Sequence, residues 1–170
     1  SEVINMYEED RNSRADWENA YINGLDLLGV KNEERSMPFD GATGVTHPIL
    51  NEATIRFVSQ AMMELFPASG PVKASVIGKS SPEKMEQAKR VQDYMNYLLT
   101  EEIEQYRPDT EQMLFQLALS GSAFRKVYYD PTHDRPESLF VPAEDFVVSY
   151  ETTDLKNSSR FTHVMRKTDN

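Results

Sequence analysis

Cysteine is absent from this 170-residue sequence, which excludes disulfide bonds, thiolate zinc sites, iron–sulfur clusters and cysteine nucleophiles. No apolar run approaches the roughly 18 residues that a membrane helix requires, so no membrane contact is expected. Basic residues are also scarce: 18 lysines and arginines stand against 28 acidic residues, giving a net charge of −10. This balance excludes a surface that holds nucleic acid by neutralising its phosphates.

The remaining composition is that of a folded globular protein, with 39% hydrophobic and 27% charged residues. The length suits one domain with an additional arm. We therefore divide the chain into an N-terminal helical arm, residues 1–35, and an α+β domain, residues 36–170. Because the sequence begins with Ser1 rather than methionine and stops in a polar run at Asn170, we expect it to be part of a longer protein.

Apolar residues recur at helical spacing in four segments. The first, residues 2–30, has its stripe at Trp17, Tyr21, Leu25 and Leu28. The second starts at Pro48 and ends before Pro67, with a stripe that includes Leu50, Phe57, Ala61 and Leu65. Ser81, Pro82 and Glu83 have the residue types that open a helix, and a fourth helix runs from Pro108 to a stop at Gly121. Residues 37–47 read as a loop and residues 72–77 as a short strand.

After Gly121 the apolar period changes from helical spacing to alternation, which is typical of strands. Residues 122–129 form the first predicted strand, and turn-forming residues follow it at 130–136. Further strands are predicted at 139–141, 146–148 and 161–166. The sequence thus predicts an α+β fold in which about four helices pack with a small, mainly antiparallel sheet in the C-terminal part.

Motifs for catalysis are weak throughout the chain. Gly78-Lys79-Ser80 matches the end of a phosphate-binding P-loop, but Lys73 stands where that loop needs its first glycine. We expect an ordinary turn there and keep nucleotide binding as an alternative. His47, His133 and His163 show no metal-ligand spacing, although His133 lies near Asp130 and Asp134. The sequence predicts no enzyme activity, no catalytic residue, no cofactor and no metal site.

Aromatic residues point instead to contacts between subunits. Phe124, Arg125 and Tyr128 fall on one predicted strand, whose few basic residues do not suit a platform for single-stranded nucleic acid. With Trp17 and Tyr21 they form the predicted subunit interface. The acidic start of the first helix is interpreted as a solvated helix end. Two alternatives stay open: an arm that packs on a neighbouring subunit, and an adaptor that binds a protein partner through acidic helices.

A series of short segments resembles the N-terminal third of the portal proteins of short-tailed, P22-like bacteriophages. The likeness covers about residues 36–167, and no single segment is diagnostic. The segments are DGATGVTHP (40–48), ELFPA (64–68), GPVK (70–73), DYMNY (93–97), QMLF (112–115), LSGSAFRKVYY (119–129), VPAED (141–145) and THV (162–164).

This resemblance implies a structural subunit in a homo-oligomeric ring of about twelve copies at one capsid vertex. Double-stranded DNA would pass through that ring during packaging and ejection without specific binding. The segment would correspond to the wing of the portal, which contacts neighbouring subunits and the capsid or scaffolding protein. Terminase and tail proteins would bind parts of the portal that lie beyond this sequence. The implied locations are the virion and, during assembly, the host cytoplasm.

Overall fold

Helices occupy the first two thirds of the chain and short strands the last third, in a computed structural model that describes residues 2–28, 39–42 and 47–168. The predicted α+β class is confirmed. The described part contains five α-helices, and a π-helical turn, Leu98–Glu102, extends the fourth. Their bounds are α1 Glu2–Ser13, α2 Ala15–Leu28, α3 Ile49–Leu65, α4 Pro82–Tyr97 and α5 Tyr106–Ser120.

The strands form two separate antiparallel ribbons. β1 (Phe124–Asp130) and β2 (Arg135–Val141) make a hairpin in which Phe124 lies opposite Val141 and Asp130 opposite Arg135. β3 (Phe146–Val147) pairs with β4 (Thr162–His163). All four predicted strands after Gly121 are therefore present, although β3 and β4 are only two residues long.

Local signals for helix ends are largely confirmed. The Ser81 hydroxyl accepts a hydrogen bond from the Lys84 N–H at 3.3 Å, and Pro82 is the first residue of α4. Gly121 adopts the left-handed conformation, φ 74°, that ends a helix without a Cβ clash. The predicted start of the second helix is one residue too early, because Pro48 precedes α3, which begins at Ile49.

The predicted helix over residues 2–30 is two helices, because the chain turns at Arg14. Arg14 is only 7% exposed. Its guanidinium group donates hydrogen bonds to the carbonyl oxygens of Ala143 at 2.9 Å, Glu144 at 2.8 Å and Phe146 at 2.8 Å. Arg14 thereby joins the α1–α2 junction to the segment that leads into β3.

Helix α5 lies at the centre of the described structure and contacts α2, α3 and β2. The indole N–H of Trp17 donates to the Ser120 carbonyl at 2.9 Å, and Gln116 donates to the Tyr21 hydroxyl at 3.0 Å, so both aromatic residues of α2 pack on α5. The buried apolar set among the described residues is small. It consists of Val58, Leu98, Ile103, Leu114, Val141, Ala143 and Val147.

The inward face of α3 agrees only in part with the predicted one. Val58, which the sequence also places inward, is buried together with Thr54, whereas Phe57 and Leu65 from the predicted stripe are exposed. The Thr54–Val58 face is the one turned toward the rest of the chain, and α5 is the element that α3 contacts most. The stripe alone could not identify this face because apolar residues occur on both sides of α3.

The predicted strand at residues 72–77 was wrong. The segment has no strand partner, and polar side chains of α4 hold its backbone instead. The Asn96 amide accepts from the Val72 N–H at 2.8 Å and donates to the Val72 carbonyl at 3.1 Å, while Gln92 accepts from the Ala74 N–H at 3.1 Å. Gly70 makes room for Asn96, since a Cβ there would lie 2.6 Å from that side chain.

Some expectations fall on residues outside the described ranges. These include most of the predicted loop at 37–47 and the boundary between residues 35 and 36. Within the described ranges, no helix has both the length and the apolar character needed to cross a membrane.

Replacing Arg14 by lysine should lower the free energy of unfolding by about 2–3 kcal/mol, because one ammonium group cannot reach the three carbonyls of residues 143, 144 and 146 in the same way. Arg11→Lys is the matched control at an exposed position near the end of α1 and should change the free energy by less than about 0.5 kcal/mol. Urea unfolding followed by the fluorescence of Trp17, the single tryptophan, measures both. Equal stabilities for the two variants would contradict the role of Arg14.

Candidate functional site

The most unusual property of the chain is the amount of surface that it exposes. Among the described residues, seven apolar residues are buried, whereas 26 large apolar side chains are exposed. Large apolar side chains are exposed on most elements of the described structure, including Ile55 on α3 and Val127 on β1. Exposed apolar surface on this scale is typical of a chain that packs against other chains.

A groove lies between the hairpin and the β3–β4 ribbon, and we call it the aromatic groove. It is lined by residues 123–127 of the β1 side and by Val141, Phe146, Leu155, Phe161 and His163, and its volume is about 640 Å³. Three phenylalanine rings form a row along it. The Phe124 and Phe146 ring centres are 4.2 Å apart, and those of Phe146 and Phe161 are 5.8 Å apart.

The lining of the aromatic groove is basic, although the whole chain is strongly acidic. Among the described residues, the ionisable side chains that line it are Arg125, Lys126 and His163, and none is acidic. The Arg125 guanidinium lies over the Tyr106 ring at 4.6 Å and donates to the Thr110 hydroxyl at 2.6 Å, so α5 holds it in place. An occupant that carries both apolar and acidic groups would suit this lining.

The five predicted interface residues lie in different environments. Trp17 and Tyr21 stack on each other, with ring centres 5.5 Å apart, and their polar atoms bind α5. Phe124 and Arg125 line the aromatic groove. Tyr128 is 40% exposed on the hairpin, where the Lys126 ammonium lies 5.2 Å from its ring. Their contacts with another subunit stay a prediction.

Sequence reasoning did not identify Phe146, Phe161 and His163 as parts of one surface. Phe146 and His163 are partners in the β3–β4 register, and Phe161 precedes that strand directly. β3 and β4 are 15 residues apart in the sequence, so their pairing is set by tertiary structure. The sequence does show an aromatic residue in each of the two predicted strands, Phe146 and Phe161. This pattern does not reveal that the two side chains line one groove.

The P-loop-like segment Gly78-Lys79-Ser80 is exposed and lacks the surroundings of a P-loop. No strand leads into it within the described structure, and α4 begins after it, at Pro82. A phosphate cradle requires a strand, a glycine-rich loop and a helix that starts at the loop.

Three side chains in the described part of the chain lie close enough together to ligate a metal ion. Ligand atoms of Asp130, His133 and Glu137 lie within 4.8 Å of one another at the hairpin turn. Each already has a partner: His133 Nδ1 is 2.5 Å from Asp130 Oδ2, and Arg135 Nε donates to Glu137 at 2.7 Å. A cation would have to displace both, so the group primarily stabilises the turn.

No protein-family model matches the chain, and a search of curated proteins finds no similar sequence.

The hydrogen bond from His133 lowers the pKa of Asp130 below its usual value, and the Thr132 N–H adds to this effect. This contact therefore stabilises the folded protein fully at pH values above the pKa of an unfolded aspartate, about 3.9. The stabilisation is lost as the pH falls through the lower pKa that Asp130 has in the folded protein. An NMR titration of the Asp130 carboxyl should show this depressed midpoint. His133→Ala should raise the midpoint, whereas the control His163→Ala should leave it unchanged. An unshifted midpoint in the unmodified protein would contradict the contact.

Proposed function

We propose that this chain is a structural subunit of a bacteriophage portal, the ring at a capsid vertex through which DNA enters and leaves. The exposed surface is the observation that supports this most directly. In the described part of the chain, exposed large apolar side chains outnumber buried apolar residues by 26 to seven. The resemblance of the segment series to portal proteins of short-tailed phages supplies the identity of the assembly.

The spread of the exposed apolar side chains suits a ring. They occur on most elements of the described structure, including α3 and β1. A ring subunit has two interfaces, one with each neighbour, and an obligate interface buries about 1000–2500 Å² on each partner. Two neighbours would therefore cover exposed apolar side chains on more than one side of the subunit.

The charge of the chain suits contact with passing DNA. A net charge of −10 repels the phosphate backbone. A conduit with this charge lets the duplex slide, because it offers few cations to hold individual phosphates. The ring would guide DNA and leave its covalent structure unchanged.

The complete natural protein should form one closed species of about twelve subunits. Two neighbours per subunit would cover the exposed apolar surface, which drives the association. Native mass spectrometry and sedimentation velocity measure the size of the assembly. A strictly monomeric protein at micromolar concentration would contradict the proposed function.

Double-stranded DNA should show no measurable binding to the protein at 50 mM salt and micromolar protein concentration. The physical reason is the repulsion between the acidic surface and the phosphates. Fluorescence anisotropy of a labelled 30-base-pair duplex measures the binding. An affinity that falls steeply with added salt would instead reveal a phosphate-binding surface and contradict the conduit model.

A further inference from the structure

Among the described residues, the hydrogen bonds that join helix α1 to the rest of the chain lie near its C-terminal end. The Arg160 guanidinium binds Asp10, with Nε 2.7 Å from Oδ2, and Glu9, with Nη2 3.0 Å from Oε2. The Tyr150 N–H donates to the Ser13 hydroxyl at 3.1 Å, and Arg14 follows at once. The first two turns of α1, residues 2–8, extend from the body: all of these residues are exposed except Tyr7, which is half-buried.

The extension has apolar and acidic side chains that are open to solvent. Val3 is 75% exposed and Ile4 54% exposed, and Met6 is also exposed. Glu2 and Glu8 are exposed on the same turns. A helix of 12 residues is marginally stable in water by itself. The exposed first turns of α1 therefore offer apolar surface to a packing partner, and contact with that partner would stabilise them.

We propose that the first two turns of α1 from one subunit bind in the aromatic groove of the next subunit. This inference rests on the proposed ring and names one of its contacts. Val3, Ile4 and Met6 would cover the phenylalanine row, in the way that an amphipathic helix fills an apolar groove.

Charge complementarity selects this occupant. The groove is lined by Arg125, Lys126 and His163 in a chain that is otherwise acidic, and the extension offers Glu2 and Glu8. Complementary charges of this kind set the orientation and the partner of an interface more than its strength.

The contact joins two different surfaces, so it is heterologous. Each subunit offers its α1 extension to one neighbour and its aromatic groove to the other. Such a contact continues from subunit to subunit until the rotation closes it into a ring. No residue of α1 lines the groove of its own chain, which leaves the groove open to the neighbour.

Disulfide trapping tests the contact, because these 170 residues contain no cysteine that could form a competing disulfide. The double variant Ile4→Cys/Val127→Cys places one thiol on the extension and one in the groove. Mild oxidation with copper–phenanthroline should give a ladder of covalent oligomers on a non-reducing gel, because every subunit links to two neighbours. The control Ile4→Cys/Met63→Cys moves the second thiol to an exposed position of α3, outside the groove, and should give no ladder.

Charge variants provide a second measurement. Lys126→Glu in the trapping variant should slow the formation of the ladder about tenfold, and adding Glu8→Lys should restore most of the rate. The control Lys89→Glu makes the same charge change on α4, outside the groove, and should leave the rate unchanged. A rate that is insensitive to Lys126→Glu would overturn the assignment of the groove.

The outcomes separate this inference from the proposed function. A closed ring by native mass spectrometry without a ladder overturns the arm-in-groove contact and leaves the portal proposal standing. A monomer with an internal disulfide shows that α1 folds onto its own groove and overturns the contact too. A protein that never associates overturns both.

Discussion

The guanidinium group of Arg14 holds the two ends of the chain together. Its three hydrogen bonds end on the carbonyls of residues 143, 144 and 146, more than 120 residues away in the sequence. A planar guanidinium group with five N–H donors in a fixed fork can bind several carbonyls at once over a wider span than a lysine ammonium group. Because one of these carbonyls belongs to Phe146, Arg14 also positions the middle ring of the aromatic groove.

Polar side chains replace backbone ladders at several other junctions. Gln116 on α5 accepts from the Ala143 N–H at 3.0 Å, and Asp109 accepts from the Phe140 N–H at 3.0 Å. Asn96 likewise accepts a hydrogen bond from the Val72 N–H. Hydrogen bonds from single side chains fix segments without burying much apolar surface. The fold is therefore specific in its connections, and its apolar core is small.

The sequence allowed the local features to be predicted because each depends on its own neighbours in the chain. Ser81 and Gly121 end helices through their own backbone and side-chain chemistry, and turn residues 130–136 give a hairpin. Arg14 and Asn96 escaped prediction since their partners are chosen by tertiary structure. In α3, apolar residues on two faces made the buried face ambiguous. Phe57 and Leu65, which the sequence placed inward, face solvent in the isolated chain.

The difference between local features and features set by tertiary structure also explains why the sequence predicts only part of the candidate site. Phe124 and Arg125 were recognised from the strand that contains them, but the groove exists only where β3 and β4 meet that strand. Acidic copies of one chain repel each other, so apolar surface alone cannot select how they dock. A few cations in an apolar groove overcome this repulsion at one place. In the proposed ring, the position of Lys126 beside the phenylalanine row would thus specify orientation, while the buried area would provide the driving force.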